Sequence, residues 1–151
     1  MEDALRRDIT INSLFYNLHS EQVEDFTDKG LKDLAGKVVR TPLPPLQTFI
    51  DDPLRILRVI RFASKLHYAV APDITDAIQT GEIHTPFMNK ISRERVGTEV
   101  EKMFMGDNPL RALRLMNEFE FYSVVFCPPS ECLVDKEMAE CAMKNARGLD
   151  W

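Results

Sequence analysis

The sequence predicts an α+β protein, with short strands and helices in the first third and helices alone in the remainder. Stretches of alternating polar and apolar residues, such as 22–27, lie before a proline cluster at 42–45. After this cluster the apolar residues recur with the spacing of amphipathic helices. Hydrophobic residues make up 44% and charged residues 28% of the chain, values typical of a globular domain.

The first third is predicted to contain a helix, two strands and one helical turn. Apolar residues at helical spacing predict an amphipathic helix over 3–18. Alternation predicts a strand over 22–27, and residues 28–30 are a turn signal. A helical turn at 31–35 and a second strand at 38–41 complete this part, and the prolines then mark a boundary.

The remainder is predicted to form a series of helices. Asp52 is the expected N-cap, and Pro53 the first residue, of a helix that runs to about residue 67. Further helices are predicted over 73–80, 92–105 and 109–118. A loop at 127–130 and a polar helix over 131–151 are expected to follow.

Composition excludes several classes of protein. The chain has 151 residues, and its 19 Lys and Arg against 24 Asp and Glu give a net charge of −5. This balance argues against binding nucleic acid through a broad basic surface. No run of about 18 apolar residues supports a transmembrane helix. The cysteines and histidines lack disulfide or metal-ligand spacing, so no metal site is predicted, and reduced thiols fit an intracellular compartment.

Arg6 and Arg7 stand beside Asp8 near the start of the predicted first helix. Cations at a helix N-terminus oppose the helix dipole, so a neighbouring acid or a bound anion should compensate them. The guanidinium group suits phosphate because it donates two parallel hydrogen bonds. The pattern therefore indicates either a triphosphate contact or an ordinary solvated helix end.

The segment 51–62 begins with two acids and continues with evenly spaced arginines. At about 100° per residue, Arg55, Arg58 and Arg61 fall on one face of the predicted helix, and apolar residues occupy most of the rest. One face is therefore expected to pack against the core. The other is expected to leave Arg58 and Arg61 free for phosphate.

Asp52 and Arg55 lie within reach of each other on this helix. A carboxylate accepts hydrogen bonds and a guanidinium donates them, so together they can read the amine edge of cytosine or adenine. Uracil and guanine place a carbonyl where the amine should be, which would leave both protein groups mispaired. A simple surface ion pair is the alternative interpretation.

Arg95 and Glu99 are one turn apart on the predicted helix 92–105, which indicates a structural ion pair. No Asp-x-Asp motif for two-metal nucleotidyl transfer occurs in the chain. A Gly-rich phosphate loop and the common nucleophile motifs are also missing. No catalytic residue is therefore predicted in this chain.

Four segments, in this order, resemble the motifs of the class II CCA-adding enzymes, the tRNA nucleotidyltransferases of the poly(A) polymerase family. Residues 6–12 resemble motif B, 30–42 motif C, 51–62 motif D and 92–99 motif E. The likeness covers about residues 2–126 and is greatest to the eukaryotic branch. Motif A, which carries the metal-binding Asp-x-Asp in that family, has no counterpart here, so a truncated fragment is expected.

The resemblance implies a domain order and a set of site residues. Residues 1–44 would form the C-terminal part of a nucleotidyltransferase head, 45–105 a helical neck and 106–151 the start of a helical body. The residues implied to bind the nucleotide are Arg7, Asp52, Arg55, Arg58 and Arg61. Those implied to make secondary nucleotide contacts are Arg6, Asp8 and Asp51. The Arg95–Glu99 pair would brace the neck.

The function implied by the resemblance is the selection of nucleotides for a tRNA nucleotidyltransferase. That enzyme transfers CMP and AMP from CTP and ATP to the tRNA 3′ end, with Mg²⁺ ligands that this chain lacks, so the fragment is expected to be inactive alone. The alternatives are a poly(A) polymerase, a relative that adds only CC or only A, and a non-catalytic helical module that binds RNA or protein. A mitochondrial, cytosolic or nuclear location away from membranes is implied.

Overall fold

A computed structural model describes residues 2–126 of the chain. The part before the proline cluster mixes short helices and strands, as an α+β fold requires. Its elements are α1 (Glu2–Leu5), a 3₁₀ turn (Thr10–Ser13), β1 (Leu14–Asn17), β2 (Gln22–Asp25), α2 (Gly30–Gly36) and β3 (Val38–Val39). The predicted loop at 127–130, the predicted helix over 131–151 and the three cysteines lie outside the described residues.

The prediction of one continuous helix over 3–18 is wrong. After α1, the Asp8 Oδ1 atom accepts a hydrogen bond from the Ile9 N–H at 2.9 Å. Such a local bond gives the backbone an alternative to the helix. Further on, β1 pairs antiparallel with β2 in a register that places Leu14 opposite Asp25. The ladder satisfies the backbone groups of this segment, so tertiary pairing overrides the helical spacing of its apolar residues.

The described part of the remainder is helical apart from one short strand. Its elements are α3 (Pro45–Asp51), α4 (Arg55–Leu66), β4 (Ala69–Val70), α5 (Pro72–Gln79), α6 (His84–Lys90), α7 (Arg93–Phe104), α8 (Pro109–Glu118) and α9 (Tyr122–Val125). Ser92 caps α7 by accepting a hydrogen bond from the Arg95 N–H, and Asn108 caps α8 from the Arg111 N–H. These caps explain why both helices begin where the sequence predicts.

β3 and β4 pair in parallel, with Val38 opposite Ala69 and Val39 opposite Val70. The sequence pattern does not reveal β4, because two residues are too few to show alternation. The pairing joins the first third of the chain directly to the segment that follows α4.

α4 lies at the centre of the described core. Its buried residues are Ile56, Leu57, Val59, Ile60, Ala63 and Ser64. This face packs against β3, α7 and α8. Each buried Val, Leu or Ile side chain stabilises the fold by about 1.5–3 kcal/mol relative to an exposed one. Burial of this face fixes the direction in which the arginines of α4 point.

Gly30 begins α2 at a point of close backbone approach. A Cβ atom at this position would lie 2.8 Å from the Thr10 carbonyl oxygen and 2.8 Å from Leu14 Cδ2. The carbonyl belongs to the backbone and cannot move aside easily. Glycine therefore allows α2 to pack against the 3₁₀ turn and β1.

Candidate functional site

A cleft of about 530 Å³ opens between the first third of the chain and the N-terminal turns of α4 and α7. Arginine and aspartate predominate in its walls. The lining residues are Asp3, Arg6, Arg7, Asp8, Asn12, Asp52, Leu54, Arg55, Arg58 and Arg95. The structure thus brings together most of the residues predicted for nucleotide contact, whereas Arg61 and Asp51 lie outside this lining.

Asp8 is a buried carboxylate that organises one wall of the cleft. Its Oδ1 atom accepts hydrogen bonds from the Ile9 N–H at 2.9 Å and from the Asn12 side-chain amide at 3.1 Å. Its Oδ2 atom accepts from Arg58 Nε at 2.8 Å and lies 2.7 Å from Arg58 Nη2. A two-point pair of this kind compensates the buried charge. Asp8 therefore holds Arg58 in place across the cleft.

Glu99, on α7, is the second buried acid near the cleft. Its Oε2 atom accepts from Arg61 Nε at 2.7 Å, and its Oε1 atom lies 3.0 Å from Lys102 Nζ and 3.9 Å from Arg58 Nη1. Burial acts to raise the pKa of Glu99, but the hydrogen bonds and charges of Arg61 and Lys102 outweigh burial and lower this pKa. The ionised carboxylate therefore ties α4 to α7.

The prediction that Arg58 and Arg61 stand free for phosphate is wrong. Arg58 is bound to Asp8, and Arg61 is bound to Glu99 with its side chain only 15% exposed. The Arg61 guanidinium also lies 4.1 Å from the centre of the Phe62 ring. Two buried carboxylates need cationic partners, and the arginines of α4 supply them.

Asp52 does not cap α4 as predicted. A tight turn precedes the helix, in which the Arg55 N–H donates to the Asp52 carbonyl at 3.1 Å and the Ile56 N–H donates to the Pro53 carbonyl at 3.2 Å. The regular helix therefore begins only at Arg55. The Asp52 carboxylate turns towards α7 instead, where its Oδ2 atom lies 3.6 Å from Arg95 Nη2.

Asp52 and Arg55, the predicted base-reading pair, line the same cleft but hold different partners. Arg55 Nη2 donates a hydrogen bond to the backbone carbonyl of Arg6, whereas the Asp52 carboxylate faces Arg95. The predicted pairing of Arg95 with Glu99 is also wrong. Arg95 reaches Asp52, before α4, whereas Glu99 binds Arg61 within α4. The sequence shows spacing along one helix but not which neighbouring helix lies opposite.

Arg7 is held at several points on the wall of the cleft. Its Nη1 atom donates to the Asn12 carbonyl at 3.1 Å, and its Nη2 atom donates to Asp3 Oδ2 at 3.1 Å. The guanidinium also lies 4.8 Å from the centre of the Phe15 ring. Arg6 is far more exposed, with 78% of its side chain accessible. Both arginines line the cleft, but Arg7 is the one whose side chain is held by several contacts.

Asp51 occupies the last turn of α3, away from the cleft. Its Oδ1 atom accepts a hydrogen bond from Gln47 Nε2 at 2.8 Å, one helical turn earlier. The adjacent acids Asp51 and Asp52 therefore point to different neighbours. Of these two acids, only Asp52 lines the cleft.

Arg40 forms a link that the sequence motifs did not indicate. Its carbonyl accepts from the Thr10 N–H at 2.8 Å, and its Nε atom lies 3.3 Å from Oδ1 of the buried Asp33. Its Nη1 atom reaches Asp73 Oδ2 at 3.5 Å, so Arg40 connects the first third to α5. No local signal could reveal this contact, because Asp73 is 33 positions away in the chain.

The described residues offer no cluster suited to a metal ion. Within residues 2–126, no three His, Cys, Asp or Glu side chains lie together in a way that could hold one. A Mg²⁺ site built from three such side chains is therefore not found within these residues. In the same range, none of the helices combines the length and apolar character needed to cross a membrane.

Two protein families match separate parts of the chain. The Poly A polymerase head domain matches residues 1–40. The family described as the probable RNA and SrmB-binding site of polymerase A matches residues 67–131. The segment between them contains α3, the whole of α4 and the predicted base-reading pair.

Individual proteins give the same assignment. The mitochondrial CCA tRNA nucleotidyltransferase of Saccharomyces cerevisiae is 53% identical over 125 residues, which are 83% of this chain and 23% of that protein. The Bacillus stearothermophilus CCA-adding enzyme in complex with CTP superposes with a TM-score of 0.74 at 32% identity, over 82% of this chain and 30% of that one. The Thermotoga maritima CCA-adding enzyme complexed with tRNA superposes with a TM-score of 0.71 at 28% identity, over 95% and 35%.

Each match covers most of this chain but only a minor part of the relative. This chain spans only about a quarter of the length of the curated relatives, 23% and 24% for two yeast enzymes. Within that span, both the sequence and the fold agree with those of the relatives. The chain belongs to the family of CCA-adding tRNA nucleotidyltransferases and poly(A) polymerases.

Proposed function

We propose that this chain is the nucleotide-selecting portion of a CCA-adding tRNA nucleotidyltransferase. The complete enzyme would transfer CMP and AMP from CTP and ATP to the tRNA 3′ end, with Mg²⁺ held by residues that this chain does not supply. In this proposal residues 1–44 complete the head, 45–105 form the neck and 106–151 enter the body. The relatives support a site of action in mitochondria, and the cytosol and nucleus are further candidates.

The observation that carries the proposal is the convergence of Asp52 and Arg55 on one cleft that also contains Arg7 and Arg58. Arg7 offers a positive charge for the triphosphate. Asp52 and Arg55 supply the acceptor and donor needed to read the amine edge of cytosine or adenine. Arg58 is held at the cleft wall by its pair with Asp8.

The contacts within the cleft define what binding must change. Arg55 donates to the Arg6 carbonyl, so a base would have to replace that acceptor or share the guanidinium. A guanidinium carries five N–H donors, so one bond to a carbonyl leaves others for a ligand. We therefore propose that Arg55 bridges motif B and the base at the same time.

Nucleotide binding by the chain itself tests the proposal. In calorimetric titrations, CTP and ATP should bind more tightly than UTP and GTP by about tenfold or more, since each mispaired polar group costs about 1–3 kcal/mol. Arg55→Ala should reduce this preference, and Arg114→Ala, an exposed arginine on α8, should leave it unchanged. Equal affinity for all four nucleotides in the unaltered chain would contradict the proposal.

The relatives also suggest a test of catalysis. The chain contains no Asp-x-Asp, so we expect the purified protein to incorporate no labelled CMP into a tRNA transcript above a no-enzyme control. Placed in a full-length enzyme, this segment should select CTP and ATP, and Arg55→Ala should relax that selection. The length and sequence of the product separate CCA addition from poly(A), CC-only and A-only synthesis.

A non-catalytic role in binding RNA or protein is the second candidate. The match of residues 67–131 to a probable RNA-binding region supports it. A chain that binds a tRNA transcript but shows no preference among nucleotides would favour this alternative.

A further inference from the structure

We infer that Arg95 is a positioning residue for base selection, because it holds the Asp52 carboxylate towards the cleft. This inference rests on the proposed function, since it assigns Asp52 the role of reading the base. Arg95 was predicted only to brace α7 through Glu99. The structure places its guanidinium in the cleft wall and opposite Asp52 instead.

The Asp52 carboxylate has no anchor within its own segment. Asp52 joins α3 to α4 in an extended conformation and makes no side-chain cap to α4. Its Oδ1 atom is buried and finds no hydrogen-bond partner among the described residues. Its Oδ2 atom has one ionic contact in the same part of the chain, the 3.6 Å approach of Arg95. The orientation of this carboxylate therefore depends on α7.

Arg95 is well placed to fix that orientation because α7 is itself anchored on both sides of it. One turn before, the Ser92 side chain caps the helix by accepting from the Arg95 N–H. One turn after, Glu99 is bound to Arg61 of α4. The start of α7 is thus tied to α4, the helix that carries Arg55. The Asp52 carboxylate and the Arg55 guanidinium are therefore held in fixed positions relative to each other.

The length of the contact leaves Asp52 available to a ligand. At 3.6 Å, the Arg95–Asp52 approach is longer than an N–H···O hydrogen bond, so it acts through charge and does not occupy the acceptor site fully. The carboxylate can then accept a hydrogen bond from an exocyclic amine while Arg95 keeps it in place. Without Arg95 the carboxylate could rotate away, and the penalty on UTP and GTP would fall.

The test compares nucleotide selectivity in Arg95→Gln, Arg95→Lys and unaltered protein. We expect Arg95→Gln to lower the ratio of the UTP and CTP dissociation constants by roughly three- to tenfold, a usual size for coupling between neighbouring residues. Arg95→Lys keeps the charge and should restore most of the ratio. In an Asp52→Asn background, Arg95→Gln should change the ratio no further, whereas a structural defect would weaken all nucleotides alike.

The outcomes separate this inference from the proposed function. If the unaltered chain prefers CTP and Arg55→Ala removes that preference while Arg95→Gln leaves it intact, the role of Arg95 is refuted and the proposed function stands. A uniform loss of affinity for all four nucleotides in Arg95→Gln also refutes the positioning role. If the unaltered chain shows no preference, the proposed function fails, and the role of Arg95 fails with it.

Discussion

Replacement of Glu99 by glutamine tests how strongly the α4–α7 contact supports the fold. The change removes the charge that pairs with Arg61 and Lys102 but keeps the size of the side chain. Glu99 is only 3% exposed, and its cationic partners Arg61, Arg58 and Lys102 have side chains that are 15%, 36% and 51% exposed. Loss of the Glu99 charge therefore leaves mainly Arg61 without compensation, because its side chain is the least exposed of the three.

The expected cost follows from this distribution of exposure. Removing one partner of a fully buried ion pair costs about 3–5 kcal/mol, and partial hydration of these cations reduces our expectation to about 2–3 kcal/mol. In a chain of this size, such a loss lowers the melting temperature by about 5–10 °C. The measurement is urea or thermal unfolding of Glu99→Gln beside Glu101→Gln, an exposed acid on the same helix.

The acid limb of the stability curve gives a second readout for Glu99. Its pKa is lowered in the folded protein, so its contribution is complete above the unfolded pKa of about 4.3. The contribution is lost as the pH falls through the lower folded value. The stability gap between the unaltered protein and Glu99→Gln should therefore be constant near neutral pH and shrink below about pH 4.3. A gap no larger than that of Glu101→Gln, or one that does not change in acid, would refute the reasoning.

Four further predictions concern the backbone and the distribution of stability. Gly30→Ala should destabilise the protein by about 1–3 kcal/mol in urea unfolding, because its Cβ would collide with a backbone carbonyl. Gly97→Ala, in the middle of α7 with no atom within 4 Å of the added Cβ, should stabilise it by about 1 kcal/mol. His67 ends α4 in the left-handed conformation at φ 56°, so His67→Gly should raise stability by about 0.5–1 kcal/mol, and an unchanged or lower value contradicts this. Amides of β1 and β2 should exchange faster than those of α4, since Tyr16 and Val23 leave 59% and 49% of their surface exposed; equal protection by hydrogen-exchange NMR would contradict this.

The sequence predicts the parts of this fold that local chemistry determines. Ser92 and Pro109 mark the starts of α7 and α8 because a cap and a proline act on the residues beside them. The first helix fails because the spacing of its apolar residues fits a helix, while pairing with β2 decides the structure. At Asp52–Pro53 the turn before α4 defeats the expected cap. Local signals therefore predict where a helix can begin, whereas contacts with distant segments decide whether the predicted element forms.

In the candidate site, too, some features could be predicted from local sequence and others depend on distant contacts. The identities of Arg7, Asp52 and Arg55 could be taken from the sequence, because their motifs lie within short segments. Their partners could not, because a pattern of charges does not tell which distant side chain satisfies them. Arg58, which the spacing predicts to be free, is bound by an acid 50 positions away. A buried carboxylate must be paired, but the sequence does not reveal that Asp8 is buried.

The ion pairs of Arg58 with Asp8, and of Glu99 with Arg58 and Arg61, also bear on the order of folding. They connect segments 50 and 38 positions apart, so three distant parts of the chain must come together before all of these pairs are formed. Closing such loops costs entropy that is returned only when the contacts form. We therefore expect the cleft walls to assemble late, together with the packing of α4. A nucleotide that binds only the folded cleft would then stabilise the whole described core.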